Sequence, residues 1–99
     1  MRIDSGITDV ATAGSRARVL NTKERVLWAK FTAPAANTGL TYVGDSAVSA
    51  TNGYPLGAAG GVDATIEIPI PEGGSIRAED FYVDAATDGD DVAWAFILA

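Results

Sequence analysis

The run Val62-Asp63-Ala64-Thr65-Ile66-Glu67-Ile68-Pro69-Ile70-Pro71 decides the fold class of this chain. Its apolar residues occupy every second position, and polar residues or prolines stand between them. A period of two is typical of a β-strand with one buried and one solvated face, whereas a helix repeats every 3.6 residues. Pro69 has no amide hydrogen to donate, so we expect this strand at a sheet edge.

Similar short runs recur along the chain, separated by turns rich in Gly, Asn and Asp. The predicted strands are Gly6–Ala11, Arg16–Leu20, Arg25–Ala33, Leu40–Val43, residues 62–70, Phe81–Ala85 and Asp91–Ala99. No segment predicts a helix longer than a turn or two. Seven short strands predict an all-β fold, a single antiparallel β-sandwich or barrel. Residues 1–99 form one predicted domain, and an extended N-terminal arm is one option for residues 1–7.

Composition sets the remaining bounds. The chain has 99 residues, 47% of them hydrophobic and 20% charged, which is typical of a globular domain. It contains no run of about 18 apolar residues, so no segment is predicted to enter a membrane. It also contains no cysteine and no histidine. Without histidine the usual general base near neutral pH is missing, and we therefore predict that the protein is not an enzyme and holds no cofactor.

Two strands are apolar on both faces. In Arg25–Ala33, Val26 and Trp28 share one predicted face, and the opposite face carries Leu27, Ala29 and Phe31. Asp91–Ala99 likewise has bulky residues on one face, and Ala93, Ala95 and Ile97 on the other. Such strands need cover on both sides. One explanation is a long loop, such as Asp45–Gly61, lying over a central strand; the other is a subunit interface. The second explanation makes Leu27, Phe31 and Ile97 interface candidates in a homo-oligomer.

Charge is distributed unevenly around a net value of −6. Residues 1–49 carry six basic and four acidic side chains, whereas residues 50–99 carry one basic side chain and nine acidic ones. An acidic protein is not expected to bind nucleic acid. Four basic residues bracket one predicted hairpin and could meet an acidic surface, the alternative being a solvated face: Arg16, Arg18, Lys23 and Arg25.

An acidic run, residues 84–91, is the one constellation with potential site chemistry. Its carboxylates, Asp84, Asp88, Asp90 and Asp91, could supply oxygen ligands to Ca²⁺. Their spacing does not match the calcium-loop pattern D-x-[DN]-x-[DN]-G-x₅-E, however. Asp88-Gly89 is by itself a strong signal for a hairpin turn, so an acidic hairpin tip without metal is the simpler interpretation.

Four ordered motifs carry a resemblance to a known class of protein. They are Asn37-Thr38-Gly39-Leu40-Thr41-Tyr42-Val43-Gly44-Asp45-Ser46, Gly53-Tyr54-Pro55-Leu56, Phe81-Tyr82-Val83-Asp84-Ala85 and Val92-Ala93-Trp94. In order and spacing they resemble motifs of small virion-associated proteins of tailed bacteriophages, over roughly residues 8–99. The resemblance implies a structural protein of the virion, made in the host cytoplasm. It implies no catalytic residues.

The function expected from this resemblance is decoration or cementing of the capsid exterior. The expected partner is the major capsid protein, and the expected assembly is a homo-oligomer, with a trimer favoured. The alternative is a recognition module whose loops Ala35–Gly39 and Gly44–Gly53 bind a host glycan or receptor. A hydrolase built on Asp45 and Ser46 is disfavoured, because the G-x-S-x-G elbow and an activating histidine are both missing.

Overall fold

The computed structural model of the chain describes residues 1–57, 64–71 and 73–99. The strands are β1 (Arg2–Val10), β2 (Ala17–Arg18), β3 (Val26–Thr32), β4 (Thr41–Gly44), β5 (Tyr54–Leu56), β6 (Thr65–Pro69), β7 (Tyr82–Ala85) and β8 (Asp90–Leu98). A 3-10 turn, Ala78–Asp80, leads into β7. No helix in these ranges is long and apolar enough to cross a membrane. Val62 and Asp63 of the alternating run lie outside the described residues.

The strands form two antiparallel sheets of four, with the orders β1-β8-β3-β6 and β2-β7-β4-β5, here called sheet A and sheet B. The predicted all-β sandwich is confirmed. It has eight strands instead of about seven, because Tyr54–Leu56 pairs with β4. That segment is short and interrupted by Pro55, so its sequence alone gives no clear strand signal.

Strand alternation builds the core between the sheets. On β8, Val92, Trp94, Phe96 and Leu98 are all buried, and the residues between them are only half-buried. On β6, Ile66 and Ile68 pack against the same core, while Glu67 is exposed, as the alternating run predicts. Sheet A thus contributes its even-numbered β8 and β6 positions to the interior.

The predicted faces of β3 are wrong in one respect, and a β-bulge is the reason. Val26 and Trp28 are paired with consecutive residues of β8, so Leu27 is an extra residue in the ladder. The extra residue moves Val26 to the side of Ala29 and Phe31, and all three side chains are fully buried or nearly so. Trp28 turns to the opposite face.

Phe31 is therefore a core residue and not an interface residue. Its side chain is 0% exposed. Its ring centroid lies 5.3 Å from that of Phe81 and 5.8 Å from that of Phe96. The sequence of β3 could not reveal which face is buried, because apolar residues occupy both faces and the bulge shifts the alternation at Leu27.

The N-terminal residues do not form a free arm. β1 begins at Arg2 and pairs in continuous register with β8, from Arg2 opposite Leu98 to Val10 opposite Asp90. The option of an extended arm over residues 1–7 is therefore wrong. Exposed isoleucines alternate with smaller inward residues there, which weakens the strand signal.

Two predicted hairpins also differ from the structure. β2 pairs with β7 in sheet B, whereas β3 pairs with β6 and β8 in sheet A, so the basic residues do not bracket a hairpin. The Asp88-Gly89 turn has the expected positive φ at Gly89, +81°, but it joins β7 of one sheet to β8 of the other. Turn chemistry specifies the reversal of the chain but not the partner of the following strand.

Replacing Phe31 by Ala is expected to lower the free energy of unfolding by about 3–5 kcal/mol, because a buried aromatic ring leaves a cavity between the sheets. Lys30→Ala is the matched control on the adjacent, outward position, and should cost less than about 1 kcal/mol through its exposed pair with Glu67. Urea unfolding followed by tryptophan fluorescence measures both. Equal losses would show that the faces of β3 are assigned wrongly.

Candidate functional site

The outer face of sheet A carries several apolar side chains, which alternate with the core residues along its strands. Its register places one residue from each strand side by side, in the order Ile3, Ile97, Trp28 and Pro69. We call this set the apolar row. Ile3 is 76% exposed, and Ile97 and Trp28 are half-buried. Apolar side chains in one row across four strands are typical of a contact surface.

Two further rows complete the face. The first consists of Ser5, Ala95, Lys30 and Glu67, and the second of Ile7, Ala93, Thr32 and Thr65. Lys30 Nζ lies 3.6 Å from Glu67 Oε1, which places one exposed ion pair beside β6. The two small alanines leave a shallow groove of about 180 Å³ along β8. The face is therefore apolar toward β1 and polar toward β6.

No covering loop explains this face in the part of the chain that the structure describes. Residues 45–53 fold against sheet B instead, where Val48 is 2% exposed. A Cβ atom on Gly53 would lie only 2.7 Å from Val48 Cγ2, so this close packing requires glycine. Residues 58–61 of the loop considered from the sequence lie outside the described residues. The interface explanation for the two-sided strands stays a prediction.

Carboxylates crowd one end of the outer face, where Asp9 stands opposite Asp91. Desolvation raises the pKa of the Asp91 carboxyl above its ordinary value, and hydrogen bonding to Asp9 and repulsion by Asp9 and Asp90 raise it further. The folded state therefore binds this proton more tightly than the unfolded chain does. Such a group opposes folding above its folded pKa and has no such effect below its unfolded pKa.

Of the four basic candidates, Arg18 lies on β2 of sheet B, Arg16 just before that strand, Lys23 in the following loop and Arg25 just before β3 of sheet A. Arg18, on β2, donates from Nε to the Tyr82 hydroxyl at 3.0 Å and stacks its guanidinium over that ring at 5.2 Å. Arg25 donates to the carbonyl of Gly74 at 3.5 Å, at the start of β3. Arg16 and Lys23 are exposed. Leu27 and Ile97 are half-buried, and Ile97 belongs to the apolar row.

The carboxylates of the acidic run hold backbone amides from separate segments. Asp88 accepts from Ala13 N at 2.7 Å, and Asp84 accepts from Gly14 N at 3.0 Å. The two oxygens of Asp90 accept from Thr38 N at 3.0 Å and from Gly39 N at 2.9 Å.

Asp91, the fourth calcium candidate, faces Asp9 on the outer face of sheet A. No cluster of three potential metal ligands occurs within residues 1–57, 64–71 and 73–99. Three of the four carboxylates, those of Asp84, Asp88 and Asp90, therefore have a structural role as acceptors of loop amides.

The first loop of the recognition alternative is held rigidly. Asn37 Nδ2 donates to the Asp91 carbonyl at 2.7 Å, and Asn37 Oδ1 accepts from Asp91 N at 2.9 Å. The second loop contributes to a depression of about 420 Å³ beside β7, lined by Arg18, Asp45, Ser46, Glu79, Asp80 and Tyr82. This depression combines an aromatic ring, carboxylates and a hydroxyl.

Several residues of the outer face were missed at the sequence level. Ile3 and Ile7 fell in or beside the proposed arm, Trp28 was placed with Val26, and Pro69 was considered only as an edge marker. A usable signal for a strand did exist, because isoleucines stand at two of the odd-numbered positions that share one face, Ile3, Ser5, Ile7 and Asp9. Trp28 could not be placed without knowledge of the bulge.

No protein-family model matches this chain, and no curated protein matches it. The resemblance to phage virion proteins therefore stays a prediction from motifs.

Asp91→Asn is expected to raise the melting temperature at pH 7 by about 1–4 °C, because it removes a carboxylate whose charge opposes folding. The gain should shrink as the pH falls through the raised pKa of Asp91 and vanish below the unfolded value. Calorimetry between pH 3 and pH 8 measures this, with the exposed Glu67→Gln as control. A gain that increases toward low pH would contradict the assignment.

Proposed function

We propose that this domain is a non-enzymatic structural protein of a tailed-phage virion that decorates the outside of the head. Its partner in this proposal is the major capsid protein. The observation that carries the proposal is the apolar row, Ile3, Ile97, Trp28 and Pro69, on a sheet face that no described segment covers. The ordered phage-like motifs support it independently.

The physical mechanism is additive. Each copy lays the outer face of sheet A on a capsid surface, and its apolar row is removed from water. At about 25 cal/mol per Å² of apolar area, a few hundred Å² per copy gives useful but modest affinity. Copies that bind the assembled shell, but not its separated subunits, stabilise the shell by linkage.

The charges at the ends of the face affect how a partner is oriented more than how tightly it binds. Asp9 and Asp91 make one end acidic, and Lys30 with Glu67 forms a neutral pair near the other side. Exposed charges of this kind act mainly on the rate and register of association. An oligomer, with the trimer favoured from the sequence, stays part of this proposal.

Trp28→Ser is expected to lower occupancy of decoration-free heads of the encoding phage by at least about tenfold, because the central aromatic of the row is lost. Tyr54→Ser is the matched control, an aromatic on β5 of the other sheet that is 49% exposed. Cosedimentation with heads measures occupancy, and heating measures shell stability. Circular dichroism must show that both variants are folded.

Equal binding of the two variants would exclude the outer face of sheet A as the capsid contact. Failure of the unmodified domain to bind heads at all would exclude decoration itself.

The second candidate function is recognition of a host glycan, and the depression beside Tyr82 favours it. An aromatic ring flanked by Asp80, Glu79 and Ser46 offers a stacking surface and several hydrogen-bonding groups to a sugar. Glu79→Ala should then weaken binding of the free domain to host-surface glycans, and Glu67→Ala on the outer face of sheet A should not. A glycan array with the isolated domain decides this. Absence of any glycan binding would remove this candidate.

A further inference from the structure

The four edge strands of the sandwich differ in how they are protected against pairing with other strands. β2 has two residues, β5 has three and contains Pro55, and β6 has five and contains Pro69. Shortness and proline are the usual devices that prevent edge pairing. β1 has nine residues, no proline and no register shift against β8. Among the described strands it is the one long edge without a proline, and its charged residues are Arg2, Asp4 and Asp9.

The alternation of hydrogen bonds decides which backbone groups of β1 point to the open side. Ala33 N donates to Ala64 O at 2.8 Å, so odd-numbered β3 residues after the bulge are directed at β6 and even-numbered ones at β8. Their partners on β8 are odd-numbered, so the even-numbered β8 residues are directed at β1. By the β1–β8 register, even-numbered β1 residues bond to β8. The groups directed at the open side belong to Ile3, Ser5, Ile7 and Asp9.

These outward groups have no backbone partner within the described residues. The amide of Ser5 donates to the adjacent Asp4 carboxylate at 2.9 Å. The side chains of Ile3 and Ile7 remain 76% and 67% exposed. Apart from the Ser5 amide, which must leave the Asp4 carboxylate, these donors and acceptors are free, and beside two exposed isoleucines they are a template for another strand.

We propose that β1 pairs antiparallel with β1 of a second copy of this chain, about a two-fold axis at Ser5. In this register Ser5 stands opposite the second copy's Ser5, and Ile3 stands opposite its Ile7. The three central pairs exchange about six backbone hydrogen bonds. The two A sheets join into one continuous sheet.

The occupant is a second copy because the edge is complementary to itself. A two-fold axis at Ser5 exchanges Ile3 with Ile7, so apolar side chains meet on the outer face at both ends of the contact. Sliding the register by two residues sets Ile3 opposite Asp9 or opposite Ser5 instead. Sliding it by one residue sets each isoleucine opposite a residue whose side chain lies on the other face of the sheet. Among the registers that match the outward backbone groups, the one centred on Ser5 pairs both isoleucines of each copy.

The same register adds apolar area at the end of the apolar row. Ile3 ends that row, and pairing sets the second copy's Ile7, with Ala93 behind it, directly beside Ile3. Beside the new contact, the inward Arg2 pairs with Asp4 at 3.2 Å and donates from Nε to Glu24 at 2.9 Å. Edge pairing alone buries less than the roughly 800 Å² per partner of a standard interface, so we expect a dissociation constant in the micromolar range.

This pairing does not depend on the proposed virion function, because it is a property of the isolated domain. It produces a dimer of the isolated domain, and the trimer favoured from the sequence would need a contact other than this edge. Loss of capsid binding in the Trp28→Ser variant leaves β1 unchanged, so the two proposals fail separately.

Cysteine scanning tests the register directly, since the chain has no cysteine of its own. Directly opposed residues in a bonded antiparallel pair have Cα atoms about 5.5 Å apart, within reach of a disulfide. The S5C variant should therefore form a covalent dimer on mild oxidation. I7C is the matched control: the two copies of that position lie about four residues apart along the strands, roughly 13 Å, and should not cross-link. Cross-linking of I7C but not S5C would overturn the register.

Sedimentation equilibrium up to about 1 mM tests the contact itself. The unmodified domain should be in monomer–dimer equilibrium. Ser5→Pro should raise the dissociation constant by about tenfold or more, because it deletes an outward amide that β8 does not use. Ser5→Ala should not raise it. A monomer at every concentration, or a dimer equally strong in Ser5→Pro and Ser5→Ala, would overturn the proposal. If Ser5→Pro does not fold, the outcome of S5C against I7C decides alone.

Discussion

Three phenylalanines in mutual contact between the sheets determine how the rest of the structure is arranged. Phe31 and Phe96 from sheet A meet Phe81, which precedes β7 of sheet B, with ring centroids 5.3–5.8 Å apart. Trp94 extends the cluster at 5.1 Å from Phe96. Because strand side chains alternate, turning these rings inward directs Ala93, Ala95 and Ile97 outward. The outward direction of these side chains is therefore a consequence of core packing. Their apolar character is a separate property of the sequence.

Core alternation was the part of the fold that could be predicted from the sequence. The period of two in residues 64–70 and in β8 correctly indicated strands, and the sandwich followed from their number. Strand partners could not be predicted, because Asp88-Gly89 specifies a turn without specifying which sheet receives the next strand. The direction of Trp28 could not be predicted either, because one extra residue at Leu27 reverses the faces that follow it.

The motif that carries the phage resemblance has a structural explanation in this chain. Asn37 bonds both backbone groups of Asp91, and the carboxylate of Asp90 holds the amides of Thr38 and Gly39. Thus the segment before β4 is fixed to the first residues of β8, although about fifty positions separate them. A buried carboxylate that accepts two amides is stable because both of its oxygens are satisfied. Acidic residues that could have suggested a metal site instead connect the two sheets at one end.

The outer face and the open edge of sheet A belong to one surface, and this explains why they are best considered together. Proline or shortness protects three edges, whereas Ile3 carries the apolar row to the fourth edge without interruption. A row that stopped at β8 would offer a partner only a sheet face. Because it continues onto β1, a second copy can satisfy the backbone groups of the edge and, by the same pairing, place its own Ile7 beside Ile3 at the end of the row. A dimer formed in this way would present to a third partner two apolar rows, joined at the axis by the isoleucines of both copies. Edge pairing would then increase the area available for contact with a large surface such as a capsid, although each contact is weak by itself.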